Sequence, residues 1–133
     1  MLRRKQQKSQ QTEISPIVPS GLIASTENGE FYVKGGKRFK FVSERARDSW
    51  CLPIIRTKEL YLSNIKVAGI IGFRDGTMIK DISNSKIYLI SDNTKRHIID
   101  PDVIKILGYN NKILDVSQKE ASFHKEGESL SAK

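Results

Sequence analysis

The side chains able to do chemistry in this chain are few and scattered. His97 and His124 are far apart in sequence, Cys51 is the only cysteine, and the carboxylates Asp75, Asp81, Asp92, Asp100, Asp102 and Asp115 are spread over the second half. A structural zinc site needs closely spaced His and Cys ligands, and a hydrolase needs a nucleophile beside its base. No CxxC, HExxH, GxSxG or phosphate-loop spacing occurs. The carboxylates fall where turns and helix starts use acidic side chains as caps, so nothing supports pairing two of them as acid and base. Gly35-Gly36-Lys37 is a lone glycine pair in a hairpin rather than a phosphate cradle. Both histidines read as satisfied or surface groups. Cys51, close before Pro53, reads as a small apolar helix residue, and one cysteine forms no internal disulfide. The sequence argues against an enzyme: no catalytic residue, metal ligand or cofactor is expected.

Basic chemistry is more prominent. The chain of 133 residues has a formal net charge of +8 and a pI near 9.7, which suits a polyanion or an acidic protein surface. Arg3, Arg4, Lys5 and Lys8 form one group in a Gln- and Ser-rich start with no acid among its first ten residues. Lys34, Lys37, Arg38 and Lys40 form a second group, interleaved with Phe31, Tyr32, Phe39 and Phe41. That is the composition of a nucleic-acid-binding strand with stacking rings. Strand alternation opposes it: with Phe39 and Phe41 turned to the core, Arg38 and Lys40 point outward without aromatic company. The expectation is a solvated basic face, with nonspecific nucleic-acid contact as the alternative.

The elements that must position these residues follow from local rules. Residues 1–20 read as an extended arm, broken by Pro16 and Pro19, with Ile14, Ile17 and Val18 as apolar anchors that order on a partner. Leu22 to Thr26, Glu30 to Lys34 and Lys37 to Val42 read as a three-stranded meander turned at Asn28-Gly29 and Gly35-Gly36. Ser43 caps a helix running to about Leu52, anchored by Trp50 and Leu52 and stopped by Pro53, and a shorter helix follows from Thr57. Val67 to Phe73 is a near-continuous apolar run read as a buried strand, whose glycines Gly69 and Gly72 suggest a bulge or a close backbone approach. Thr77 to Ile82 and Lys86 to Ser91 are strands. Another strand opens with Lys95-Arg96, and a helix starts at Asp100-Pro101 and stops at Gly108. Ser117-Gln118-Lys119-Glu120 fits a capping box.

The two halves repeat. Ile23 over Ile79, Asn28 over Asn84 and Tyr32 over Tyr88 are each 56 residues apart, and Lys37-Arg38 falls on Lys95-Arg96 if the second hairpin turn is two residues longer. Ser43 over Asp100 and Trp50 over Leu107 align the helices, and Ile54-Ile55 and Ile113-Leu114 follow them.

The stretch from Asp75 to Leu130 resembles a known hairpin-and-helix repeat. A DGT-opened strand leads to YLI, a KRH strand, DP at a helix start, LGY at its end, and a VS-capped helix before a closing glycine and leucine. Such repeats occur in bacterial surface and cell-wall proteins. With ERARDSW and GIIGFRDGTMIKD before it, the chain is similar to small structural proteins of tailed bacteriophages, particularly those of marine hosts. The basic start has no apolar segment behind it, so a secreted cell-wall version is not expected. Asp75, Gly76, Tyr88, Lys95, Arg96, His97, Asp100, Pro101, Leu107 and Gly108 carry the match, each in a folding role, and the first half lacks the DP and LGY signatures.

The resemblance implies a non-enzymatic virion component, made in the host cytoplasm. It would be an adaptor or accessory subunit of neck, tail or baseplate, present in several copies and bound to other virion structural proteins. Capsid decoration and a basic nucleic-acid-binding protein are the alternatives. No apolar run approaches the roughly 20 residues a membrane helix needs. The expected architecture is α+β. Two tandem antiparallel meander-plus-short-helix units, 21–74 and 75–123, form one globule with a basic arm, 1–20, and a polar C-terminal tail, 124–133. Partner binding is expected of Arg3, Arg4, Lys5, Lys8, Ile14, Ile17 and Val18.

Overall fold

The computed structural model describes residues 18–132. Its elements are β1 (Leu22–Thr26), β2 (Gly29–Lys34), β3 (Lys37–Phe41), α1 (Glu44–Ser49), β4 (Ile54–Arg56), a single-turn 3-10 helix (Glu59–Leu62) and β5 (Lys66–Ile71). Then come β6 (Met78–Asp81), β7 (Lys86–Ser91), β8 (Thr94–His97), α2 (Asp102–Leu107), β9 (Leu114–Val116), α3 (Gln118–Ser122) and β10 (Lys125–Glu126). The fold is α+β, with two similar units. Among the described residues, the N-terminal unit holds residues 18–41 together with Leu52–Ile70, and the C-terminal unit holds Val42–Cys51 together with residues 71–132. The expected division at residue 74 is therefore corrected: α1 lies in sequence between two strands of the N-terminal unit yet belongs to the C-terminal one.

In the N-terminal unit the strand order is β4-β1-β2-β3-β5. β1, β2 and β3 form the expected antiparallel meander, and β4 returns parallel to β1. Ala24, Val33, Leu62 and Ile65 make its core, with Leu22 and Ile55 packed against them. The C-terminal unit repeats the order as β9-β6-β7-β8-β10, with β9 parallel to β6. Both faces of its sheet are covered. Ile79, Tyr88, Ile90 and Val116 pack with Phe73, Ala121 of α3 and Ala46 of α1. Met78, Ile87 and Leu89, alternating with the first set and so on the other face, pack with Ile98, Val103 and Leu130.

The repeat is present, but its register differs from the sequence alignment. β1 ends in a two-residue turn, with Thr26 opposite Gly29, whereas β6 ends in a four-residue turn, with Asp81 opposite Lys86. The second turns are equal in length, Gly35-Gly36 and Asp92-Asn93, all four at positive φ as such hairpin turns require. The length difference therefore sits in the first turn. Matching core faces and strand pairs sets Ala24 on Ile79, Phe31 on Tyr88, Arg38 on Lys95 and Ile55 on Leu114. One interaction recurs: the Arg38 guanidinium lies 4.6 Å from the centre of the Phe31 ring, and Lys95 Nζ lies 4.9 Å from that of Tyr88.

Helix ends follow the residue chemistry. Ser43 accepts from the Ala46 amide, Ser117 and Glu120 close a capping box, Asp100 accepts from the Asp102 amide, and Gly108 ends α2 in the left-handed region. α1 is shorter than expected, and its buried residue is Ala46. The 3-10 helix starts after Lys58, which makes no side-chain cap, rather than at Thr57. β5 is a largely exposed edge strand, not a buried one, because β3 is its neighbour on one side only. Of the expected polar tail, 124–133, the described residues 124–132 are not separate: β10 pairs with β8, and the Leu130 amide donates to the His97 carbonyl while Leu130 packs in the α2 core. Among the described residues no helix is long and apolar enough to cross a membrane.

Candidate functional site

Three polar constellations stand out, one in the N-terminal unit and two in the C-terminal unit. In the N-terminal unit, the pairing of Val33 with Arg38 turns Arg38 toward the Phe31 face. There it is buried and holds both Glu59 oxygens as a forked ion pair, while Thr26 Oγ1 donates to Glu59 at 3.0 Å. The Arg38 fork, ahead of an opposing burial effect, lowers the Glu59 pKa. Arg38 is thus removed from the expected basic surface; Lys34, Lys37 and Lys40 remain exposed around the hairpin. The outward-pointing partner ring is Phe39, half-buried with Tyr32 at 6.3 Å between ring centres.

In the C-terminal unit, Glu120 joins α1 to α3. Its carboxylate accepts from Ser43 Oγ at 2.5 Å, from Arg45 at 3.1 and 3.3 Å and from the Ser117 amide at 2.9 Å. Burial raises its pKa, but the hydrogen bonds from Arg45, Ser117 and Ser43 outweigh that and lower it to about 2. A carboxylate held so acidic is a poor base for the Ser43 hydroxyl, which itself caps α1. This cluster is suited to locking two helix starts together. It is not legible in the sequence, because Glu120 lies 77 residues from Ser43 and 75 from Arg45 and each has an ordinary local role.

His124, expected as a satisfied or surface group within a polar tail, is satisfied but lies in the core. It is buried, Nε2 accepts from the Phe73 amide at 3.0 Å, and Nδ1 stands 3.0 Å from the Asn93 carbonyl. That environment fits a neutral ring donating from Nδ1, and burial pushes its pKa down. The close approach expected at Gly72 is real: a Cβ there would strike the His124 ring. His97 lies in β8 beside Tyr88, 5.5 Å between ring centres. Cys51 is exposed, at the left-handed position that Gly108 occupies after α2.

An open cleft of about 500 Å³ in the C-terminal unit is lined by Arg45, Asp48, Arg74, Asp75, Tyr109 and Lys112 among others. Its charged groups are largely engaged. Arg45 holds Glu120, Asp48 accepts from Arg47, Arg74 donates to the Trp50 carbonyl, and Asp75 accepts from the Asn93 amide. Among the described residues no group of three His, Cys, Asp or Glu is placed to hold a metal ion.

Of the expected arm residues, Arg3, Arg4, Lys5, Lys8, Ile14 and Ile17 lie outside the described residues. Val18 is described and corrects the expectation, being buried in the core of its own N-terminal unit. What the units expose instead are large apolar side chains: Leu60 and Tyr61 beside the N-terminal core, and Ile82, Ile99, Ile106 and Leu107 on the C-terminal unit. No family model, curated protein or solved structure matches the chain.

Proposed function

We propose that this chain is a non-enzymatic structural component of a tailed-phage virion. In this reading it is an adaptor or accessory subunit of neck, tail or baseplate that binds other virion proteins in several copies. The observation that supports it most is the division of labour between polar and apolar groups. The buried charges Arg38 and Glu120 are spent on joining elements, while Leu60, Ile106, Ile99 and Ile82 stand exposed. Large exposed apolar side chains offer contact area to a partner where they adjoin one another. The resemblance of the Asp75 to Leu130 stretch, with ERARDSW and GIIGFRDGTMIKD before it, to small structural proteins of tailed phages supplies the setting. Gradient-purified particles should carry the chain through sedimentation; its absence from them sinks the virion placement, and hundreds of copies per particle would move it to capsid decoration.

Exposed Lys34, Lys37 and Lys40 around one hairpin favour a second reading, a basic nucleic-acid-binding protein. It predicts DNA or RNA binding that weakens steeply with salt and is lost on replacing these three lysines by glutamine. Binding indifferent to salt counts against it.

A further inference from the structure

The repeat supplies an exposed apolar site and a matching helix. In the C-terminal unit, α1 docks beside α3: Ala46 enters the core, Arg45 pairs with Glu120, Ser49 Oγ accepts from the Arg74 amide, and Trp50 Nε1 donates to the Gly72 carbonyl. Glu120, and more weakly Asp115, hold Arg45 in its charged form. The N-terminal unit has the counterpart of α3, the 3-10 helix. Lys58 and Ser117 precede the two helices, and Leu62 and Ala121 are their fully buried residues. The positions that flank α1 in one unit are therefore Leu60, Tyr61 and Arg56 in the other, answering to Lys119, Glu120 and Asp115. Leu60 is 70% exposed and Tyr61 47%. The helix that packs beside α3 is the one between the third and fourth strands of the preceding unit.

α2 is the equivalent of α1. Val103 matches Ala46 and Gly108 matches Cys51, both of the latter at positive φ after the helix. Where α1 presents Ser49 and Trp50, α2 presents Ile106 and Leu107, 70% and 50% exposed. Where α1 presents Arg45, α2 presents exposed Asp102. The charges are complementary at this site: Arg45 faces Glu120 and Asp115, and Asp102 would face Tyr61 and Arg56.

We propose that α2 of one copy docks on the 3-10 helix of the next, a head-to-tail contact between second copies of this chain. Val103 packs on its own sheet, so α2 uses the neighbouring stripe of Asp102, Ile106 and Leu107, which meets Arg56, Leu60 and Tyr61. Such a contact is heterologous and repeats from copy to copy, closing into a ring or extending as a filament. The proposal deepens the assembly reading by naming one partner and rests on it only for where the assembly is used. It is measured on the purified chain, so either can fail while the other holds.

The test is sedimentation velocity on the full chain and on two variants at exposed positions, Leu60→Asp and Ile106→Asp, with circular dichroism to verify that both fold. The wild type should associate, and each variant alone should run as a monomer. An equimolar mixture of the two should form a dimer and stop, since Ile106 is intact on one variant and Leu60 on the other. A wild type that stays monomeric, variants that associate like the wild type, or a mixture that stays monomeric would each overturn the proposal. Asp102→Arg should weaken association and Arg56→Asp in the same chain should restore it; no change with either goes against the charge pairing.

Discussion

Glu120 and His124 are buried groups in one unit whose ionisation is set by their surroundings, and both make folding sensitive to acid. Glu120 has its pKa lowered from 4.5 to about 2, so its contribution is present above 4.5 and is lost as pH falls through about 2. His124 has its pKa lowered from 6.5 by burial, so the unfolded chain takes up the proton first. Its contribution is present above 6.5 and declines as pH falls below that. Urea midpoints measured against pH should therefore fall in two windows. His124→Gln should flatten the upper one and Glu120→Gln the lower. An unchanged upper window in His124→Gln would mean that the ring between the Phe73 amide and the Asn93 carbonyl is not held neutral.

At the scale of elements, α1 is the piece whose membership sequence alone could not reveal. Its cap at Ser43 is local and was legible, as were the capping box at Ser117, the glycine stop at Gly108 and the Gly35-Gly36 turn. Its docking in the C-terminal unit depends on Glu120, 77 residues beyond Ser43, and on Ala46, an unremarkable letter that happens to be fully buried. Ala46→Leu should overpack this site and cost about 1 to 3 kcal/mol. Amide exchange should then accelerate in β6 and β7 of the C-terminal unit before β1 and β2; the reverse order would assign α1 to the wrong unit. The repeat was also legible, but its alignment was off by one residue over the first three strands. Tyr32 and Tyr88 share a letter yet sit differently, one half-buried and one fully buried. Phe31 and Tyr88 share a place, each beneath a cation. A one-residue slip exchanges the two faces of a strand, so identical letters mislead where burial and pairing do not. The basic surface failed at Arg38 for the same reason: its register turns it inward to Glu59.

At the scale of the whole molecule, two copies of one sheet order have been put to different uses. The C-terminal unit covers both faces of its sheet with helices, and the N-terminal unit presents Leu60 and Tyr61 at the place where a preceding helix would lie. The most direct measurement is quantitative mass spectrometry of gradient-purified phage particles from cells making this chain. The account predicts the chain in every particle at a fixed copy number, set by the symmetry of neck, tail or baseplate. Particles that lack it while the chain remains in the cell lysate would contradict the account.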